Sequence, residues 1–477
     1  MTSELEKMVS GTGVEGPAYE RFHIEAKSAD HVYNVPNKFD VHAKRLRLAA
    51  MLIHETIRYR FNRDIVLSRP CIYGVFSGRL GGFKPIKQRC VGCMRCVQEY
   101  PHIMQVNYGK KYRELGDLHW TPESVFTILY ESSTGKIPVK GMGYKGSFSG
   151  EGWDGIWTDM SEIVRPTRDG VFGREYISTS ADIGSKPFFL DFSSSDDVTG
   201  KKIRLLQSSL PIMLQPPESS KLDIGIAVKQ SASKLGIYHM SRSPLNAYEE
   251  DPWYVPIVDK ANLGKLNLDR APMIEVDLFT SNRGLIGELR QRYPSKLISV
   301  RLKIDEAAED EACRLFNDGA DVIHLCADYH GFDYSKTHSH ISHGLRRVHT
   351  RLVNEGIRDR ITLIASGGIT RAEHVPKAII CGADLVGLDT TLLIALQSEF
   401  KGETRDRTDC RLASRKIEVA WGAQRLINLM ASWHDQLIEI LSAMGMRDVR
   451  RLRGDVGRSM TDEELREQAF EGIDKLS

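Results

Sequence analysis

The sequence predicts an α/β protein built on a (β/α)8 TIM barrel, preceded by a cysteine module and followed by a helical C-terminal extension. Three observations carry that expectation. After residue 200, short apolar runs alternate with helical patterns, which implies parallel strands joined by crossover helices. Two of the later strand candidates, about 20 residues apart, lead through glycine into a helix, as the seventh and eighth strands of phosphate-binding barrels do. Upstream, three cysteines fall within seven residues at C-x2-C-x2-C spacing.

Composition sets the outer limits. A chain of 477 residues holds two or three domains, or one large barrel with additions. With 41% hydrophobic and 27% charged residues it has ordinary globular content. A formal net charge of +2 gives no reason to expect nucleic acid as a partner. No apolar run is long enough for a transmembrane helix, and the polar first 40 residues do not resemble a secretory signal. A cytoplasmic location is expected, and the eight cysteines then read as ligands rather than as a disulfide framework.

Along the chain, residues 1–130 read as an irregular arm, an amphipathic helix over 41–61 and the cysteine module. Residues 131–200, rich in Gly, Ser and Asp, read as an extended segment wrapped on the next domain, with Trp153 and Trp157 requiring burial. Residues 201–400 form the barrel. Seven strands are visible, at 210–214, 236–240, 273–279, 297–304, 322–326, 362–365 and 385–388, so one is missing. Helices are expected at 307–316, 344–355 and 372–381. Residues 401–477 form a helical extension, longest over 420–444, ending in an acidic tail.

Cys90, Cys93 and Cys96 have the spacing of bacterial ferredoxins, and Gly92 permits the turn that lets three thiolates converge on a cuboidal cluster. Tyr100-Pro101 stands where those proteins carry Cys-Pro. A four-iron cluster then needs a remote ligand, for which Cys71 is the candidate; three irons or a non-cysteine ligand are the other solutions. A zinc site and inert thiols are the competing readings. His324, His330, His338, His340, His343 and His349 crowd one region without a convincing carboxylate or cysteine spacing, so they read as contacts at a barrel mouth or as solvated side chains rather than as a metal site. His330, with Asp328 and Tyr329 after a strand end, is the candidate proton donor. Arg242 is a candidate for holding a substrate carboxylate.

Ser366-Gly-Gly-Ile-Thr, Gly382-Ala-Asp-Leu-Val-Gly and Thr390-Thr-Leu-Leu-Ile-Ala-Leu resemble the FMN-binding domain of glutamate synthase large subunits, as do Ile298-Ser-Val-Arg-Leu and Gly319-Ala-Asp-Val-Ile at a greater distance. The similarity spans roughly residues 175–400. It implies FMN as cofactor, with Gly367, Gly368, Gly387 and Thr390 at its phosphate. Arg301 falls where the family has a lysine beside the flavin N1/O2 edge, and Lys303, two residues on, is a second candidate for that cation. Asp389 departs from the family's glycine and puts a carboxylate beside the phosphate. The family's glycine-rich loops are reduced to Thr280-Ser-Asn-Arg-Gly284 and replaced by Cys326-Ala-Asp-Tyr-His330-Gly, and its cysteine cluster survives only as Cys410.

The resemblance implies a flavin oxidoreductase passing electrons between an Fe–S cluster (4Fe-4S or 3Fe-4S) and FMN to reduce a small imine or oxo acid. The chain shows no glutaminase setting, so nitrogen would be supplied in trans, and other redox or amidotransferase subunits are the expected partners. The alternative is an electron-transfer or structural subunit of a larger redox complex whose barrel has lost glutamate synthase activity.

Overall fold

The computed structural model describes residues 22–68, 71–78, 83–139, 152–158, 176–185, 191–192, 198–199, 204–217, 220–242, 251–280, 284–400 and 412–461. Eight parallel strands close into a barrel: β1 (Ile212–Leu214), β2 (His239–Ser241), β3 (Tyr254–Val258), β4 (Met273–Asp277), β5 (Leu297–Lys303), β6 (Val322–Cys326), β7 (Thr362–Ser366) and β8 (Leu385–Leu388). Closure runs through β8 and β1, where Gly387 pairs with Met213. The strand missing from the sequence reading is β3, whose Tyr-Val-Pro-Ile-Val carries Pro256. Proline has no N–H for the ladder and argues against a central strand, yet all five residues are buried.

Side chains alternate along each strand. The lower inward layer is apolar, with Met213, Met240, Met273, Leu297, Val322, Ile364 and Leu385 packed together. A two-stranded ribbon, Ala181–Ser185 with Arg204–Ser208, adds Ile183 to this cluster, and the Gly184 N–H donates to Thr362 Oγ1. The outward side chains, among them Ile298, Val300, Ile323 and Leu363, pack in one larger core shared with the helices. Each such buried aliphatic side chain contributes roughly 1.5–3 kcal/mol.

The long helix Val419–Ala443 lies across the helices Leu222–Leu235 and Pro122–Thr134. Arg425, fully buried on it, donates to the carbonyls of Ala395, Ala29 and Leu129. The expected boundary at residue 130 falls inside the helix Pro122–Thr134, whose Val125, Ile128 and Leu129 belong to the barrel core. The cysteine module has its own smaller core, with Phe39, Val41, Leu48, Met51, Cys71, Val75, Phe76, Met104 and Val106. Its helix is Arg45–Arg58, shorter than the 41–61 expected, because Phe39–Ala43 pairs antiparallel with Met104–Tyr108 instead. Lys38 and Tyr112 both bond Glu123 Oε2, at 2.5 and 2.7 Å, and join this module to the barrel side.

Of the expected wrapping segment, the described parts are short. Trp153 is buried as expected, whereas Trp157 is 47% exposed on the strand Ile156–Thr158, which pairs with Ser459–Thr461. The N-terminal arm through residue 21, Pro70, residues 281–283, Cys410 and the acidic tail after residue 461 lie outside the described residues. Among those described, no helix is long and apolar enough to cross a membrane.

Candidate active site at the barrel mouth

One pleat above the apolar layer, the inward positions turn polar. Gln215 follows β1, and Glu275, Ser299 and Arg301, His324, Ser366 and Gly387 come from β4, β5, β6, β7 and β8. Glu275, Ser299, His324 and Ser366 are completely buried and Arg301 is 4% exposed. Such groups persist in an interior only when they bond one another. His324 Nδ1 lies 3.0 Å from Glu275 Oε2, and its Nε2 lies 2.7 Å from Ser366 Oγ. Ser299 donates to the same Glu275 oxygen at 3.2 Å, and Arg301 Nε sits 3.4 Å from Glu275 Oε1.

Burial alone would depress the basicity of His324. The sulfur of Cys326 and the carboxylate of Glu275 overcome it and push the imidazole up to about 9. Burial pushes Glu275 up, but His324, Arg301 and Ser299 together hold it below the usual carboxylate range. The pair is thus ionised at neutral pH. Several buried polar atoms here have no hydrogen-bond partner: Gln215 Oε1, Glu275 Oε1, Arg301 Nε, Thr370 Oγ1 and Thr390 Oγ1. A Cβ on Gly387 would come within 3.4 Å of His324 Nε2, 3.0 Å of Ser366 Cβ and 3.7 Å of Gln215 Oε1. The strands therefore pack closely round Gly387 and leave buried polar atoms without a hydrogen-bond partner above the apolar layer.

The residues expected at a phosphate, Gly367, Gly368, Gly387 and Thr390, lie at the ends of β7 and β8. Gly367 and Gly368 have φ of +111° and +66°, and a Cβ on either would strike the backbone of residues 327–331. Glycine is required at both for close packing of the two loops. Asp389 caps the helix Thr390–Ala395, accepting the Thr390 N–H at 2.5 Å. Its carboxylate thus takes up the N–H that opens this helix.

The other expected residues lie around the rim. Lys303 Nζ sits between the rings of Phe279 and Tyr334, 4.8 and 4.7 Å from their centroids. His330 Nε2 bonds Asp117 Oδ2 at 3.0 Å, on a strap from outside the barrel. Beside it His119, neutral because burial lowers its basicity to about 4, bonds the Gly368 carbonyl at 3.1 Å, and Trp120 Nε1 donates to the Tyr329 carbonyl at 3.0 Å. Arg242 is neutralised by Asp259 and Asp277 rather than held ready for a substrate. The clustered histidines separate: His340 caps a helix and packs edge-on to Trp153, and His349 accepts from Arg358. His324 alone of that group enters the barrel among the strand side chains. Its signal in the sequence was a polar residue at an inward position of an otherwise apolar strand, repeated in Glu275, Ser299 and Ser366.

Cys71, Cys90, Cys93 and Cys96 line one small cavity with Val41, Tyr73 and Met94. Gly92, at φ +70°, makes the turn, and a Cβ there would overlap the Phe39 ring. Burial and the neighbouring cysteines push Cys90 up and Cys96 up to about 11, while backbone N–H groups of Gly92 and Val97 reach their respective sulfurs. Crowded thiols of this kind ionise when a cation joins them. Among the described residues, the one group of three or more His, Cys, Asp or Glu whose ligand atoms lie within 4.8 Å of one another is Asp154, Glu373 and His374, so the sulfurs are spread more widely. A tetrahedral zinc with Zn–S near 2.3 Å would hold them roughly 3.8 Å apart. In the Asp154 group, His374 Nδ1 accepts from the Thr370 N–H, which leaves Nε2 protonated and unsuited to a metal.

Residues 271–447 match the family model described as a conserved region in glutamate synthase. The chain is 23% identical over 441 residues to an archaeal-type glutamate synthase (NADPH) of Dehalococcoides mccartyi, covering 77% of this chain and 86% of that one. Against an archaeal glutamate synthase (NADPH) of Archaeoglobus fulgidus it is 22% identical over 461 residues, covering 82% and 90%. Against that of Methanocaldococcus jannaschii it reaches 33% over 125 residues, covering 25% and 24%.

Proposed function

The barrel of this chain is a glutamate synthase-family flavoprotein domain, which makes the chain an oxidoreductase, and from that premise we propose that it passes electrons between an Fe–S cluster and FMN to reduce a small imine or oxo acid. The observation that carries the reading is the polar layer above the apolar barrel core, where Gln215 Oε1, Thr370 Oγ1 and Thr390 Oγ1 are buried without a hydrogen-bond partner. FMN, when bound, supplies the two-electron chemistry. Arg301 and Lys303 place positive charge where a reduced ring carries negative charge. Gly387 puts no side chain against Ser366 and His324, and the Thr370 and Thr390 hydroxyls, buried without a partner, would be available to a phosphate. Asp389 opposes that phosphate, a departure that weakens its hold.

Cys71, Cys90, Cys93 and Cys96 are assigned as the cluster ligands. A shared cavity, backbone N–H groups at two sulfurs and the C-x2-C-x2-C spacing support a cuboidal cluster. Nitrogen, if the reaction is a glutamate synthesis, comes from a separate subunit. Residues 38–113 carry sixteen Lys and Arg against four Asp and Glu, and the module exposes Leu46, Ile53, Ile57, Phe61 and Ile72. A basic face studded with apolar side chains supports docking of a redox or amidotransferase subunit rather than a lone enzyme. The strap at Asp117–Trp120 over the glycine turns favours the second reading, an electron-transfer subunit with a restricted mouth.

The deciding experiment is the absorption spectrum of anaerobically purified protein with its iron, sulfide and flavin content. Iron with acid-labile sulfide and one FMN per chain is the expected result. Stoichiometric zinc without sulfide would remove the cluster, and a protein that neither carries nor takes up FMN would remove the flavin.

A further inference from the structure

The helix Arg45–Arg58 carries apolar side chains on two opposite faces. One face buries Leu48 and Met51 in the core of the cysteine module. On the other, Leu46, Ile53 and Ile57 are 89%, 63% and 66% exposed, with exposed Ala50 between them. At about 100° per residue these four fall within about 60° of one another and form a single stripe. Their spacing of four, three and four residues is the d-a-d-a order by which one helix seats another. From Leu46 to Ile57 the stripe runs about 17 Å. Exposed Phe61 extends the apolar surface past the helix end.

An open groove of about 840 Å³ borders the stripe, shares Ala50 with it, and is walled by Arg47, His54, Tyr100, His102 and Ile103. Its far wall is the segment that leaves the cysteines. There the Tyr100 N–H donates to the Cys96 carbonyl at 3.0 Å, and Arg47 donates to the His102 carbonyl at 3.2 Å. By helical spacing, Arg47 and Arg58 lie on one side of the stripe and Arg45 on the other, all of them exposed. Among the described residues, none of the three meets a carboxylate.

We propose that the helix Arg45–Arg58 docks an amphipathic helix of an acidic partner protein, apolar side chains on the stripe and carboxylates on Arg45, Arg47 and Arg58. The inference deepens the partner reading above by naming the contact residues and the chemistry that meets them. Charge selects the occupant. A second copy would set Arg45, Arg47 and Arg58 against the same residues of its partner, and like charges facing across an interface repel. A lipid surface is flat, so it would cover the stripe and leave the groove beside it unfilled. A helix with acidic flanks fills the groove with its side chains and meets the cations in pairs.

The test uses the full chain and two fluorescein-labelled synthetic helices with Leu at every a and d position. One carries Glu and the other Lys at every e and g position. By anisotropy at low salt, the Glu helix is expected to bind roughly tenfold or more tighter than the Lys helix. That binding is expected to weaken as salt rises. Ile53→Glu, on an exposed face, is expected to weaken it roughly tenfold with the thermal melt unchanged. Arg45→Glu with Arg58→Glu is expected to abolish the preference for the Glu helix. Equal binding of the two helices by wild type, or binding unchanged in Ile53→Glu, overturns the proposal. So does a dimer by light scattering that Ile53→Glu dissociates, which gives the stripe to a second copy. Sedimentation with phosphatidylserine vesicles and no binding of either helix gives it to lipid. Binding of the Glu helix only after truncation at Thr461 gives it to the chain's own acidic tail. Iron, sulfide and FMN content in the same preparations test the cofactor reading separately, and Ile53→Glu is expected to leave all three unchanged.

Discussion

His324 and Glu275 meet inside the barrel with Nδ1 and Oε2 3.0 Å apart and neither side chain exposed to solvent. The two lie 49 residues apart on strands that are not adjacent, with Arg301 and Ser299 of β5 between them. A buried ion pair of this kind is costly to assemble and more costly to break.

The pair sets a pH dependence whose sign can be worked out. His324 is raised from 6.5 to about 9 in the folded chain. Its contribution to stability is therefore fully present below 6.5 and is lost as pH rises through 9. Urea unfolding of wild type and His324→Gln at pH 6, 7.5 and 9.5 is expected to show a gap that narrows with rising pH. Glu275→Gln, which leaves the imidazolium without its carboxylate, is expected to cost about 3–5 kcal/mol at pH 7. A gap that widens above pH 8 would mean that the imidazole is neutral in the fold.

Asp389→Gly separates two properties that usually move together. The carboxylate caps the helix Thr390–Ala395, and replacing a cap by glycine is expected to cost only about a few tenths of a kcal/mol of stability. The same change frees the Thr390 N–H and removes a negative charge beside the phosphate end of the site. FMN affinity is expected to rise by roughly tenfold, about 1.4 kcal/mol. Titration calorimetry and thermal melts on one preparation read both. Weaker FMN binding in the variant would show that Asp389 holds the cofactor instead of opposing it.

Cysteine variants test the cluster ligands one at a time. Cys71→Ser is expected to lower iron and sulfide while the local C-x2-C-x2-C set retains part of each, whereas Cys93→Ser is expected to abolish both. Gly92→Ala pushes a methyl into the Phe39 ring at a φ of +70°. It is expected to strip the cluster although every sulfur remains. Equal iron content in Cys71→Ser and wild type would leave the fourth ligand elsewhere.

The barrel was legible because its signals are local: short apolar runs, helical spacing and glycine turns all act within a few residues. The strand Tyr254–Val258 escaped because Pro256 speaks against a sheet, although the barrel accommodates it opposite Ser241. Cys90, Cys93 and Cys96 were legible for the same local reason, and Cys71 joins them in one cavity. The polar layer was harder to see. Glu275, His324 and Ser366 each stand alone in an apolar strand, and only closure of the barrel makes them neighbours. The strap was out of reach, since Asp117 meets His330 across 213 residues and His119 meets Gly368 across 249. Nothing in the local sequence of either partner encodes those contacts.

Glu131 offers a test on the helical layer, away from the mouth. It lies on the helix Pro122–Thr134, is 2% exposed, and accepts from Trp433 Nε1 at 3.0 Å and Gln436 Nε2 at 2.9 Å. Burial raises it from 4.5 to about 7, more than these two donors and Arg371 offset. A carboxyl raised in the fold binds a proton that the unfolded chain releases, so stability is present below 4.5 and is lost as pH rises through 7. A shift of that size corresponds to about 3 kcal/mol between the two ends of the window. Glu131→Gln removes the ionisation and keeps one acceptor, though its amide N–H must face one of the two donors. The variant is therefore expected to be less stable than wild type at pH 5, where the acid is protonated and can turn its hydroxyl away. At pH 8.5 the order is expected to reverse, because wild type then carries a buried charge that its hydrogen-bond donors and Arg371 offset only in part. Denaturant midpoints at the two pH values decide it: curves that stay parallel from pH 5 to 8.5 would show that Glu131 is already ionised in the fold at pH 5.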